Sequence, residues 1–196
     1  MATRPILVVL AGALLLSAPA WAGKRSRAEK QAESAPTASQ PEGFTMVEVV
    51  TVLPADGGGT VLLADQGRTL VVPIAVGGTE ALSIALRAER RRYERPLTHD
   101  LLDTVIRELG GELSRVTIDD LRSQVFVATA TITQGKTSTS IDLRASDAIA
   151  LALGNGLPIW IADPVLAQTG IAWKDMLGSQ PPEPELELPE GLQPEL

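Results

Sequence analysis

Runs of β-branched residues occur in two groups of three, and each group is followed by a segment whose apolar residues have helical spacing. Such residues favour strands, because their side chains restrict χ1 and pack well on a pleated surface. Short polar turns inside each group, such as Gln66-Gly67, favour hairpins. We therefore predict strands over 44–54, 60–65, 68–76, 112–121, 124–133 and 137–145.

Helices are predicted where apolar residues recur every three or four positions. The predicted ranges are 78–92, 98–109, 146–156 and a turn or two over 163–170, with a last strand over 157–162. Few of the strands are joined by helices, which disfavours a simple doubly wound sheet. We expect one compact α+β domain: a mixed β-sheet with about three to four helices.

The two ends of the chain differ in composition from its middle. Residues 1–22 resemble a signal peptide, with an apolar core and an Ala20-Trp21-Ala22 cleavage site; an uncleaved membrane anchor is the alternative. Residues 23–43 are predicted to be a flexible linker, 44–176 the folded domain, and 177–196 a disordered acidic tail rich in Pro and Glu.

The predicted leader indicates where the mature chain would be found. After signal cleavage, a bacterial protein of this kind would be periplasmic or secreted, with no membrane attachment. Because the chain has no cysteine and therefore no lipobox, we expect no lipid anchor.

Composition excludes several kinds of chemistry. Without cysteine there are no disulfides, thiolate nucleophiles or cysteine zinc sites, and a single histidine rules out a multi-histidine metal site. Any metal would be a hard cation such as Mg²⁺, Mn²⁺ or Ca²⁺ held by oxygen. A net charge of −7 and only 3% aromatic residues count against a dedicated nucleic-acid binder.

The one histidine lies in "RPLTHDL", residues 95–101. Thr98 fits a helix N-cap, which makes His99 and Asp100 the first two helical residues. Histidine exchanges protons near neutral pH and is a candidate general acid or base. The structural alternative is that His99 points to solvent or to a neighbouring loop. The apolar residues after it form one helix face: Leu101, Leu102, Val105, Ile106 and Leu109.

Two groups of carboxylates are candidate site residues. Asp119 and Asp120 end a predicted strand, so they form either a turn or a metal or catalytic pair. Asp147 lies in the first turn of a predicted helix beside Arg144, where it is either a salt-bridge partner or a catalytic group.

A basic run, "RAERRRYER", covers residues 87–95. If the helix continues through it, Arg87, Arg90 and Arg91 share one face and could grip a phosphate through paired hydrogen bonds. The alternative is a solvated helix end, where positive charge is also favourable.

Five sequence blocks together resemble the bifunctional nuclease domain family, over about residues 46–170. The most specific are "RPLTHDL" and "SDAIALAL" (146–153). The other blocks are "PIAVGGTEALSIAL", "VFVATATI" and "PIWIADPVLAQTG". Two departures stand out: the family usually has Pro where this chain has Ala145, and it has an aromatic residue near 75. Its polar motif positions correspond here to Glu80, Thr98, His99, Asp100, Asp119, Arg144, Ser146 and Asp147.

The resemblance implies a compact domain, often a homodimer, with nuclease activity on RNA and DNA. On that basis we expect an exported phosphodiester hydrolase, with His99 or Asp147 for proton transfer and Arg144 steadying the phosphate. Asp100 also belongs to the catalytic set, and with Asp119 it would hold a divalent cation, Mg²⁺ or Mn²⁺. The alternative is a non-catalytic binding or interaction module on the same fold.

Overall fold

Eight strands form one mixed sheet and five helices pack around it, within residues 40–177 that the computed structural model describes. The strands are β1 (Phe44–Ala55), β2 (Gly58–Asp65), β3 (Leu70–Gly77), β4 (Glu112–Arg122), β5 (Val125–Gln134), β6 (Thr137–Arg144), β7 (Ile159–Ala162) and β8 (Ile171–Ala172). The helices are α1 (Gly78–Ala88), α2 (Thr98–Glu108), α3 (Ala145–Asn155), α4 (Asp163–Thr169) and α5 (Trp173–Leu177). The α+β prediction is confirmed.

The predicted signal peptide, most of the predicted linker and nearly all of the predicted acidic tail lie outside the described residues. Within residues 40–177, no helix is both long and apolar enough to cross a membrane. The segment 171–177, for which no structure was predicted, forms β8 and α5.

Strand β7 joins two antiparallel halves of the sheet. The strand order is β6-β5-β4-β7-β1-β2-β3-β8, so β7 lies between β4 and β1. It pairs antiparallel with β1 and parallel with β4, and all four of its residues are buried. An uninterrupted apolar run is expected of a strand covered on both faces.

The hairpin between β4 and β5 corrects one prediction. Asp119 and Asp120 do not form a turn, because β4 continues past them to Arg122. The turn lies at Ser123 and Gln124, which have φ of 50° and 66°. Two consecutive positive φ angles match the twist of the flanking strands, which is the usual geometry of a two-residue hairpin loop.

The main core lies between the sheet and helices α1, α3 and α4. Helix α3 is the most deeply buried helix of residues 40–177, with seven of its eleven residues buried. Four of those are alanines, which let the helix approach its neighbours closely. A smaller cluster, on β2 and β3, packs against Trp173 and Met176 of α5.

Helix α1 is shorter than predicted and ends at Ala88. The N–H of Arg91 donates to the carbonyl of Leu86 at 2.7 Å, which closes a Schellman motif. Arg90 occupies its left-handed position, with φ of 56°. Helices α2 and α3 end in the same motif, but there the left-handed residues are Gly110 and Gly156. A side chain at this position costs about 1–2 kcal/mol relative to glycine.

Helix α2 buries only its histidine. The predicted apolar face is largely exposed, with Leu101 59%, Val105 42% and Leu109 69% accessible. His99 is 6% exposed, so the alternative that it points to solvent is wrong. The cap is also shifted by one residue: Leu97 precedes the helix, and its N–H donates to the Asp100 carboxylate at 2.9 Å.

Truncation of the central strand tests the role of β7. Ile161 is fully buried in the main core, so Ile161→Ala should lower the free energy of unfolding by about 2–5 kcal/mol. Ile171→Ala removes the same atoms from edge strand β8, where the side chain is 43% exposed, and serves as the control. Urea titration would measure both. Equal losses would contradict the central role of β7.

Candidate active site

Five polar side chains, four from three helices and one from the last residue of β6, meet at the end of the sheet where α3 begins. Glu80 and Ser83 lie one turn apart on α1, His99 is in the first turn of α2, and Arg144 and Asp147 flank the start of α3. We call this set the polar cluster. It brings together three predicted site residues, His99, Arg144 and Asp147.

The buried part of the cluster centres on His99. Its Nδ1 lies 2.9 Å from Ser83 Oγ, and its Nε2 lies 3.1 Å from Asp147 Oδ1. An ionised carboxylate can only accept, so Nε2 must carry the proton that it donates to Asp147. In the neutral ring, Nδ1 then accepts the Ser83 hydroxyl proton. Asp147 therefore selects the tautomer of the neutral ring, and the Ser83 hydroxyl, which can donate or accept, satisfies Nδ1.

The accessible part of the cluster centres on Arg144. Its Nε donates to Asp147 Oδ2 at 2.8 Å, and its Nη2 donates to Asp147 Oδ1 at 2.8 Å and to Glu80 Oε1 at 2.6 Å. The side chain is 64% exposed. Within residues 40–177, its Nη1 group has no hydrogen-bond partner. The predicted salt bridge between Asp147 and Arg144 is confirmed.

The series of contacts from Ser83 to His99 to Asp147 resembles that of a serine-hydrolase triad. The geometry nevertheless rules out that chemistry. Ser83 is 1% exposed, so a substrate cannot reach its hydroxyl. In addition, the ring nitrogen nearest the serine is Nδ1, whereas in chymotrypsin-like enzymes it is Nε2. The serine orients the histidine and is not a nucleophile.

The carboxylates of the cluster are held in their charged form. Burial opposes ionisation of Asp147, but hydrogen bonds from Arg144 and His99 outweigh it and lower its pKa below 3.8. The pKa of Glu80 is lowered below 4.5, first by its own backbone N–H and then by Arg144. The same two carboxylates raise the pKa of Arg144, Asp147 contributing more.

Asp100 does not join the polar cluster, although it follows His99 directly. Its Oδ1 accepts a hydrogen bond from Arg87 Nη2 at 2.8 Å, while Asp103 lies 2.8 Å from the same nitrogen. Arg87 Nη1 donates to the Ala150 carbonyl of α3 at 2.9 Å. Arg87 thus ties α1 to α2 and α3, and Asp100 has a structural partner.

Close packing around Arg87 also explains why position 154 is a glycine. The guanidinium of Arg87 lies against Gly154 near the end of α3, where any Cβ would overlap it. The Arg87 side chain is 8% exposed. The prediction that Arg87, Arg90 and Arg91 form one helix face is therefore wrong, because the first is buried and the other two lie beyond the helix end.

Asp119 lies on β4, where its Oδ2 accepts a hydrogen bond from Thr129 at 2.6 Å. Asp100 and Asp119 thus have separate protein partners. No group of three or more His, Asp or Glu side chains in residues 40–177 could hold a metal ion. These side chains alone therefore do not form a metal site. The divalent cation, the homodimer and export stay predictions.

One member of the cluster, Ser83, was not predicted, and neither was the pairing of Glu80 with Arg144. Ser83 lies between Ala81 and Ile84, both buried, on the inner face of α1. A lone polar residue on an apolar helix face is the signal that could have identified it. The 64-residue separation of Glu80 and Arg144 gives no local signal.

An apolar cavity of about 360 Å³ lies beside the cluster. Thr98, His99, Arg144 and Asp147 line its polar end. The rest of its lining comes mostly from apolar side chains of α2, β5 and β6, among them Leu102, Ile132, Ile141 and Leu143. A mostly apolar cavity with a few convergent polar groups is typical of a ligand site.

Comparison with known proteins agrees with this architecture. The profile of the bifunctional nuclease domain matches residues 61–174, and the chain belongs to the bifunctional nuclease domain family. Two proteins of Mycobacterium tuberculosis are each 37% identical to it over 114 residues, which is 58% of this chain and 68% of theirs. They are "Uncharacterized protein MT1877" of strain CDC 1551 / Oshkosh and "Uncharacterized protein Rv1829" of strain ATCC 25618 / H37Rv.

Acid titration tests the charged state of Asp147. Because its folded pKa is lowered from 3.8, the carboxylate stabilises the fold above that pH and loses this effect as the pH falls through the folded pKa. The destabilisation caused by Asp147→Asn, measured by urea unfolding, should be largest above about pH 5 and shrink toward about pH 3. Asp142→Asn, at an exposed site on β6, should have a small effect throughout. A pH-independent effect of Asp147→Asn would contradict the lowered pKa.

Proposed function

We propose that this chain is an exported nuclease that hydrolyses phosphodiester bonds of RNA and single-stranded DNA at the polar cluster. Family membership supports the reaction class. The observation that carries the assignment is the pairing of a partly exposed, ionised Asp147 with an Arg144 whose Nη1 group is free within residues 40–177.

Arg144 would bind the phosphate. Its guanidinium is held by Asp147 and Glu80 on one side, which leaves Nη1 to donate to a phosphate oxygen. A planar guanidinium can form paired hydrogen bonds with the oxygens of a phosphate. Because the Arg144 guanidinium is already held in place, it needs little reorganisation as negative charge develops in the transition state.

Asp147 would accept the proton of the attacking water. Its Oδ1 already accepts from His99 and Arg144, whereas Oδ2 accepts only from Arg144 among residues 40–177. As the water oxygen bonds to phosphorus, its proton passes to Oδ2. The bond to the leaving sugar oxygen breaks, and solvent protonates that oxygen. His99, 6% exposed, positions Asp147 without touching the substrate.

No step of this mechanism uses a metal, because residues 40–177 contain no group of three or more His, Asp or Glu side chains that could hold one. The predicted divalent cation therefore enters only as a variable of the assay.

A second candidate, a non-catalytic module, is favoured by the apolar cavity. It would take an apolar ligand of small size, with the polar cluster serving as a structural anchor of α2. Glu80, Arg144 and Asp147 are paired with one another, as expected for a structural network, and together carry a net charge of −1.

A cleavage assay separates the two functions. The purified chain should cut labelled single-stranded RNA and DNA, and Asp147→Asn should lower the rate by about 10²- to 10⁴-fold, since it removes the proton acceptor. Reactions would be run with Mg²⁺, with Mn²⁺ and with a chelator, and melting temperatures would be measured in parallel.

Asp142→Asn, the same chemical change on neighbouring β6, is the matched control and should retain full activity. If the unaltered chain leaves every substrate intact in all three conditions, the nuclease proposal is wrong. If Asp147→Asn cleaves as fast as the control, the activity belongs to another site or a contaminant.

Export has its own test. We propose that residues 1–22 direct export and are removed after Ala22, as the Ala20-Trp21-Ala22 sequence favours. Expression in a bacterium should yield a mature periplasmic or secreted protein whose first residue is Gly23, read by N-terminal sequencing. Recovery of the chain only in membranes, with Met1 or Ala2 first, would favour the anchor alternative.

A further inference from the structure

A second cavity, of about 540 Å³, opens on the other side of the first turn of α2. It lies between the loop after α1, helix α2 and the C-terminal end of α3. We call it the arginine cavity, after the side chains that dominate its lining. They are Arg87, Arg90, Arg91, Arg92, Tyr93 and Arg107.

The arginines of this cavity differ in their availability. Arg87 forms the floor and is paired with Asp100 and Asp103, but its buried Nε has no partner within residues 40–177. Arg91 pairs with Glu89 at 3.2 Å, and both side chains are well exposed, so that pair is weak.

The remaining arginines are free. Within residues 40–177, the side chains of Arg90, Arg92 and Arg107 form no ion pair or hydrogen bond, and all three are exposed. One unpaired acidic side chain, Glu94, lines the same cavity. The cavity is therefore positively charged in a chain whose net charge is −7.

The backbone at Arg90 is in a left-handed conformation that is unfavourable for a residue with a side chain. Its left-handed φ of 56° is the position that α2 and α3 fill with glycine. Arginine there is less stable than glycine, by about 1–2 kcal/mol. Conformational strain of this kind is concentrated at binding and catalytic sites.

The only tyrosine of the chain lies in this cavity and is 56% exposed. An exposed aromatic ring among guanidinium groups is the arrangement with which single-stranded nucleic acids are bound. Bases stack on the ring, and the arginines follow the phosphates. An acidic peptide would use the arginines but not the ring.

We propose that the arginine cavity binds the backbone of a single-stranded nucleic acid, with one base stacked on Tyr93. Asp100 lines this cavity and His99 belongs to the polar cluster, so a strand crossing the first turn of α2 would pass from one to the other. The inference rests on the proposed nuclease function for the identity of its ligand, although binding itself needs no cleavage.

The test measures binding of a fluorescein-labelled single-stranded oligonucleotide by anisotropy, with Asp147→Asn in every protein so that the strand stays intact. Combining Arg90→Gln, Arg92→Gln and Arg107→Gln should weaken binding at least tenfold and reduce the salt-dependence slope by about 2. Tyr93→Ala should weaken it about tenfold. Tyr93→Phe, which retains the ring, should bind normally.

The matched control removes three exposed basic charges elsewhere, by Arg115→Gln, Arg122→Gln and Lys136→Gln, and should bind within about twofold of the parent. Equal losses in the two triple variants would overturn the proposal, as would the absence of any binding. Polyglutamate that competes as well as the oligonucleotide, with no effect of Tyr93→Ala, would assign the cavity to acidic peptides instead. None of these outcomes depends on whether cleavage is detected.

Discussion

Helix α2 is held to the domain by buried polar contacts rather than by a hydrophobic face. His99 reaches α1 and α3 through Ser83 and Asp147, and Asp100 and Asp103 reach Arg87. Its leucines remain largely accessible. Because buried polar groups are costly unless each is satisfied, this mode of attachment specifies the placement of the helix tightly. Both cavities are formed against the first turn of α2, so their shapes depend on these contacts.

The polar anchors and the proposed chemistry share the same atoms. Asp147 accepts from the histidine that holds α2 and from the arginine proposed to meet the phosphate. Any change in the seating of α2 therefore alters the geometry of the candidate active site. Under the proposed function, this coupling would let a residue as buried as His99 affect activity without contacting a substrate. It also means that activity and stability must be measured together in every variant of the cluster.

Much of the architecture was predictable from the sequence, because a strong periodicity of apolar residues indicates a strand or a helix from the local sequence alone. The order of the first seven strands and of four helices is confirmed within a few residues. The wrong predictions concern features that are set by contacts between residues far apart in the chain. The exposed face of α2 follows from its polar anchors, and α1 stops early because Arg90 adopts a left-handed conformation.

The candidate site was predictable only in part, for the same reason. His99, Arg144 and Asp147 were identified from residue type and family resemblance, and the structure brings them together. Asp100 was separated from them by its neighbour Arg87, which lies 13 residues earlier in the chain. No local pattern tells which of two adjacent polar residues, His99 or Asp100, will face which cavity. Only the packing of three helices decides it.

The place of β7 in the sheet has a consequence for how the chain folds. Residues 159–162 complete the middle of the sheet, yet they follow both of the strands that they join. A chain synthesised from its N-terminus therefore presents two half-sheets with open edges until almost the whole domain is available. Contacts so distant along the chain slow folding, and open strand edges invite association between molecules. Pairing of β7 with β1 and β4 closes both of these inner edges at once.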